Sequence, residues 1–153
     1  PDNHFSGLRT TFRLKRSYST EIQKAVDLGW FIAGFGESIS NRSLLSRRIT
    51  WVVRTILIAT AAETGRPVFS REELLKMAPG LETERLIAQK DINEPDARSG
   101  SDLEWFLVRY GRPPSISANA AKDEYVEMFK QRKNDVALHL ISSVPKAPIE
   151  GYT

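Results

Sequence analysis

Hydrophobic and polar positions alternate briefly near the start of the chain and then settle into helical spacing. Residues 10–16 (Thr-Thr-Phe-Arg-Leu-Lys-Arg) put Phe12 and Leu14 on one side and Thr11, Arg13 and Lys15 on the other. That period of two predicts a short strand. Ile22, Val26, Trp30 and Ala33 then recur at helical spacing, with Leu28, Ile32 and Phe35 beside them. Thr20 and Gln23 form a capping-box pair, and Gly34 and Gly36 close a predicted helix over residues 20–35. Residues 38–43 (Ser-Ile-Ser-Asn-Arg-Ser) carry turn and cap chemistry. They open a second predicted helix over residues 41–64, stopped by Gly65 with Pro67 beyond. Its middle is apolar almost all round, from Ile49 through Trp51, Val52, Val53, Ile56, Leu57 and Ile58, so packing rather than propensity must hold it.

The second half predicts shorter elements. Ser70 and Glu73 form a capping box for a helix to Met77, broken by Pro79-Gly80, and a further short helix follows over residues 81–89. Residues 91–101 read as an exposed loop. Ser101 and Glu104 cap a helix through Tyr110, stopped by Gly111. A last helix is predicted over residues 117–142, with Tyr125, Phe129, Val136 and Leu140 as its buried stripe and an irregular tail after it. The pattern therefore predicts a mainly α protein of about six helices with one short N-terminal β-strand. Its expected organisation is a basic strand-plus-helices region over residues 1–90, a linker or loop over 91–101, and a helical region over 102–153 packing on the first.

The chain has 153 residues, 41% of them hydrophobic and 27% charged, which suits one soluble domain. It contains no cysteine, and this excludes disulfides, Cys-ligated zinc, iron–sulfur clusters and a Cys nucleophile. No apolar run reaches the roughly 18 residues of a membrane span. The longest, residues 49–62, is interrupted by Arg54 and by Thr50, Thr55 and Thr60. A cytoplasmic protein without membrane contact is expected.

Net charge is +3, and its distribution is uneven. Residues 1–66 hold 10 Lys/Arg against 5 Asp/Glu, whereas residues 67–153 hold 12 against 14. Basic groups concentrate at Arg9, Arg13, Lys15 and Arg16 and again at Arg42, Arg47 and Arg48. Such asymmetry fits a nucleic-acid face, although charge alone favours a solvated surface balanced elsewhere.

Catalytic patterns are sparse. The two histidines, His4 and His139, have no HExxH or carboxylate neighbourhood. Gly29 to Gly34 has Walker-like spacing but continues Phe-Gly and lies within a helical pattern. Ser143 and Lys146 have Ser-x-x-Lys spacing in a Pro-rich tail too loose for catalysis. Glu72-Glu73 and the Glu82/Glu84 pair sit in first turns of short helices, where they favour the helix dipole. No enzyme activity, cofactor or metal is expected.

Residues 10–16, the helix after them, and the second helix opened by Ser-Ile-Ser-Asn-Arg-Ser together resemble the ribbon–helix–helix family of DNA-binding proteins, over about residues 10–60. An isolated strand of this length must pair, and the simplest partner is the same strand of a second subunit. The resemblance implies a homodimer whose two-stranded ribbon presents Thr11, Arg13 and Lys15 to the major groove. It also implies that the start of the second helix, with Ser40, Asn41, Arg42 and Ser43, meets phosphate. Arg9, Arg16, Arg42, Arg47 and Arg48 would add phosphate charge.

Residues 65–87 also look like the helix–turn–helix of winged-helix proteins, with Glu82, Thr83 and Arg85 on the reading helix; a plain helical hairpin is the alternative. The function expected is DNA binding by a dimer, as a transcriptional regulator or an accessory factor of DNA transfer or processing. The C-terminal helices are a possible surface for a protein partner. The competing expectation is a helical interaction adaptor, or a subunit of a larger assembly, that binds no nucleic acid.

Overall fold

The computed structural model describes residues 17–145. They form seven α-helices: α1 (Ser19–Phe35), α2 (Arg42–Glu63), α3 (Arg71–Met77), α4 (Leu81–Ala88), α5 (Ser99–Tyr110), α6 (Lys122–Gln131) and α7 (Asp135–Ser142). Short 3-10 turns follow α1 and α4. No strand occurs among the described residues, so the expected class of about six helices with an N-terminal strand is corrected to all-α there. The mainly α character stands. Residues 10–16, on which the strand was predicted, lie outside the described residues.

α1 and α2 form the centre. Their connection is short, and the Tyr18 N–H at the start of α1 donates to Glu63 Oε2 at the end of α2 (2.8 Å), so the two run antiparallel. α1 buries Ile22, Ala25, Val26, Leu28, Phe31 and Ile32. α2 buries eleven residues and leaves only one stripe toward solvent. Gly65, at φ 75°, reverses the chain after α2, and the Arg66 N–H closes back on the Ala61 carbonyl (3.0 Å). A left-handed residue in that place is the usual helix stop, and glycine adopts it without strain.

The remaining helices cover this pair. α5 lies along α1 in the opposite direction. Gly100 meets the Ala33 carbonyl, and Leu107 sits over Gly29, where a Cβ would lie 3.0 Å from its methyl carbons and 3.1 Å from Val52. Three helices meet there because that position has no side chain. α4 is fixed to α2 by Thr50, whose hydroxyl donates to the Leu86 carbonyl (2.8 Å) and accepts from the Lys90 N–H (2.9 Å). It is fixed to α5 by a two-point pair between Arg85 and the buried Asp102 (2.9 Å each). α6 packs Tyr125 and Phe129 edge-on against Phe31, with ring centroids 5.5 Å apart in each case. Burial, then the nearby Asp27 charge, pushes the Tyr125 hydroxyl up to about 12.

The last predicted helix, residues 117–142, is instead two helices. Lys133 adopts φ 55°, and the Asn134 N–H reaches back to the Phe129 carbonyl (2.8 Å). The buried Asn134 caps α7 through the Ala137 N–H (3.4 Å) and donates to the Lys24 carbonyl of α1 (3.1 Å). A tertiary anchor thus overrides local helix preference. α6 also begins later than predicted, at Lys122, where Glu124 accepts from the Ala121 N–H (3.3 Å). α5 begins earlier, at Ser99, so Ser101 lies inside the helix and its hydroxyl bonds the Arg98 carbonyl (3.0 Å) rather than capping. The Ser70–Glu73 capping box is present as predicted.

Candidate nucleic-acid interface

Asn41 starts α2. Its Oδ1 accepts from the Leu44 N–H (3.2 Å), and its Nδ2 donates to Ser143 (2.8 Å), which brings the end of α7 to this helix terminus. Ser40, Asn41, Arg42, Ser43, Arg47 and Pro145 line a shallow cavity of about 360 Å³ there. Five residues singled out in the sequence therefore share one surface. Their chemistry differs.

Arg42 is committed. Its Nε contacts both Glu94 oxygens (3.0 and 3.2 Å), and its Nη1 donates to the Gly36 and Ile39 carbonyls (2.8 and 3.2 Å). It braces the α1–α2 turn and is not a free phosphate contact. Arg47 is exposed and has no carboxylate within ion-pair distance among the described residues. Arg48 is half-buried, and its Nε has no hydrogen-bond partner among the described residues. Burial, then the adjacent Arg47 charge, lowers its pKa, although a guanidinium stays protonated. Arg9, Thr11, Arg13, Lys15 and Arg16 lie outside the described residues.

The stripe of α2 left toward solvent carries more than the sequence reading assigned to it. Arg47, Trp51, Arg54 and Ile58 follow one another at i, i+4, i+7 and i+11, with Arg48 and Thr55 beside them. Trp51 and Ile58, expected in the core, are partly buried and pack against its edge. Arg54 donates to the Phe69 carbonyl (2.9 Å), and the Phe69 side chain is 62% exposed. No acidic residue occurs in residues 42–62. The next, Glu63, is occupied by the Tyr18 N–H and by Arg112 (2.6 Å), which hold its carboxyl below the usual range. The recurrence of Arg and Trp at helical spacing was the available signal, masked by the apolar run around it.

α4 does not present freely the residues expected on a reading helix. Thr83 is buried, Arg85 is held by Asp102, and Glu82 and Glu84 are the partly exposed charges. The helical-hairpin alternative describes α3 and α4.

Overall charge does not single out a face of the described residues. Residues 17–145 hold 17 Lys/Arg and 17 Asp/Glu, and residues 146–153 hold one of each. The chain's net +3 thus resides in residues 1–16, with four Lys/Arg and one Asp.

Other cavities offer less chemistry. One of about 410 Å³ at the start of α1 includes Lys24, Asp27 and Arg132. Its carboxylate is occupied by Gln23 (3.0 Å) and by Ser115 twice (2.6 and 2.8 Å). One of about 470 Å³ lies between the end of α1 and the start of α5 and contains no histidine. His139 is exposed on α7. Among the described residues no group of three or more His, Cys, Asp or Glu is placed to hold a metal, and no helix is long and apolar enough to cross a membrane. The chain matches no protein-family model, no curated protein and no solved structure, so its site is read from its own chemistry.

Proposed function

We propose that this protein binds DNA through its phosphates, using the open stripe of α2 together with the basic residues Arg9, Arg13, Lys15 and Arg16. The observation that carries this reading is the Arg47–Arg48 pair. Among the described residues these two adjacent guanidinium groups have no carboxylate partner; Arg47 lines the cavity at the start of α2, and Arg48 is half-buried with an unpartnered Nε. Like charges placed this way repel, and partial burial weakens the hydration of Arg48. A bound polyanion relieves both. The Ser40 hydroxyl adds a neutral donor at the same place, whereas the Ser43 hydroxyl and the Leu44 N–H are already given to Asn41 Oδ1. Arg42 drops out of the expected set because Glu94 neutralises it. A regulator or accessory factor in DNA processing is the role such binding serves.

The test is fluorescence anisotropy with labelled DNA, duplex and single-stranded, from about 50 to 200 mM salt. Binding should weaken steeply with salt. Arg47→Ala/Arg48→Ala should lower affinity about tenfold or more and reduce the log–log slope by about 2. Absence of binding at low salt, or binding indifferent to the double substitution, overturns the reading. The competing function, a protein-interaction module, has one observation in its favour: Leu81 and Val108 are 66% and 67% exposed on α4 and α5.

A further inference from the structure

We infer that the open face of α2 is built for single-stranded nucleic acid, with bases stacking on Trp51 and Phe69 while Arg47 and Arg48 hold phosphates. The inference rests on the DNA-binding reading above and names the form of nucleic acid bound.

Three observations combine. First, α2 is not a protruding helix. Eleven of its 22 residues are buried against the rest of the fold, so only a shallow stripe is open. A helix sunk in this way cannot enter a major groove, which receives an exposed helix or a two-stranded ribbon. Second, the stripe interleaves cations with aromatic side chains. Trp51 stands one turn after Arg47 and one turn before Arg54. Arg54 in turn holds the Phe69 carbonyl at 2.9 Å, which brings the backbone of a largely exposed aromatic residue to the same stripe. Third, the helix itself offers no carboxylate along this length to repel a phosphate chain.

Phosphate contact alone has no use for exposed rings, and in a duplex the base faces are already stacked. Unpaired bases present free π-faces to aromatic side chains, while cations alongside follow the backbone. Half-burial suits Trp51 to this use, because the body of the protein holds the indole in place while one part stays open. The Phe69 ring serves the core little at its exposure, so its removal leaves folding nearly untouched.

The experiment compares a 20-nucleotide oligo(dT) with a duplex of the same length at equal salt, and reads Trp51 emission in a Trp30→Phe/Trp105→Phe background. The single strand is expected to bind at least tenfold tighter. Trp51 emission should be quenched at saturation, and Phe69→Ala should weaken oligo(dT) binding about tenfold, the loss of one stacked base. Unchanged Trp51 emission, equal affinity for duplex, or an unaffected Phe69→Ala variant overturns the stacking surface. If salt-dependent binding that needs Arg47 and Arg48 persists in those cases, the DNA-binding reading survives without it. If neither DNA binds at low salt, both fall together. Replacing oligo(dT) by oligo(U) then tells whether the strand preferred is DNA or RNA.

Discussion

The carboxylate of Asp27, on the buried side of α1, holds Ser115 twice: it accepts the backbone N–H at 2.8 Å and the hydroxyl at 2.6 Å. Asp27 is 1% exposed, and Gln23 supplies a third donor at 3.0 Å. The chain after α5 is thereby tied to α1 across 88 residues of sequence. Ser115→Ala removes one bond to a charged acceptor and should cost about 1.5–3 kcal/mol. Asp27→Ala strands the Ser115 donors as well and should cost more. Urea unfolding measures both, and a Ser115→Ala variant as stable as the parent would show that the tie contributes nothing.

Gly29 lies where α1, α2 and α5 touch, with Leu107 and Val52 waiting where a Cβ would go. Gly29→Ala gains helix propensity of at most about 1 kcal/mol. Overpacking costs about 1–3 kcal/mol. The balance is destabilising, and the melting temperature should fall by a few degrees in a circular-dichroism scan. A rise would mean that Leu107 can move aside.

Arg48 is less comfortable than Arg47. Its Nε is buried without a partner, and its pKa is lowered by burial and by Arg47. Arg48→Met keeps the stem and removes the desolvated charge. The variant should melt at a higher temperature than the parent and bind DNA more weakly. Opposite signs in the two measurements mark a residue kept for binding at a cost in stability. Loss of both together would make it a structural residue.

Acid should loosen particular ties. The Arg98 guanidinium and N–H hold Asp96 down to about 2. Glu63 is lowered first by the Tyr18 N–H and then by Arg112, and Glu73 first by the Ser70 hydroxyl and then by the N–H groups of Ser70 and Phe69. A carboxyl whose pKa is lower in the folded state stabilises the fold above its unfolded pKa, near about 4. That contribution fades as pH falls from about 4 toward 2. Melting temperature should therefore decline across this window. Asp96→Asn and Glu63→Gln should each flatten the decline, and identical slopes in variants and parent would refute the assignment.

Legibility in the sequence followed the range of the interaction only in part, because the local Thr20–Gln23 and Ser101–Glu104 boxes are not formed: α1 starts at Ser19 and α5 at Ser99. Ser70 with Glu73, Asn41 before α2 and Gly65 after it act within one turn of chain, and each is in the structure what its neighbours predicted. The split at Lys133 was not legible in the same way, because the anchor of Asn134 is the Lys24 carbonyl, 110 residues away.

The candidate site shows the division most clearly. Sequence alone determined that α2 is a long helix, that its start carries Ser40, Asn41, Arg42, Ser43, Arg47 and Arg48, and that the chain's excess positive charge lies toward its beginning. Only the tertiary structure decided which of those charges is available. Arg42 and Arg47 are the same residue type on the same helix, yet Glu94, 52 positions on, neutralises the first and leaves the second open. Trp51 and Val52 are adjacent apolar residues, yet the packing of α1 and α5 covers Val52 and leaves Trp51 half-open. Helix formation depends on neighbours a turn away, which a sequence displays. Neutralisation and burial depend on which distant side chain arrives in space, and only the folded chain brings it there.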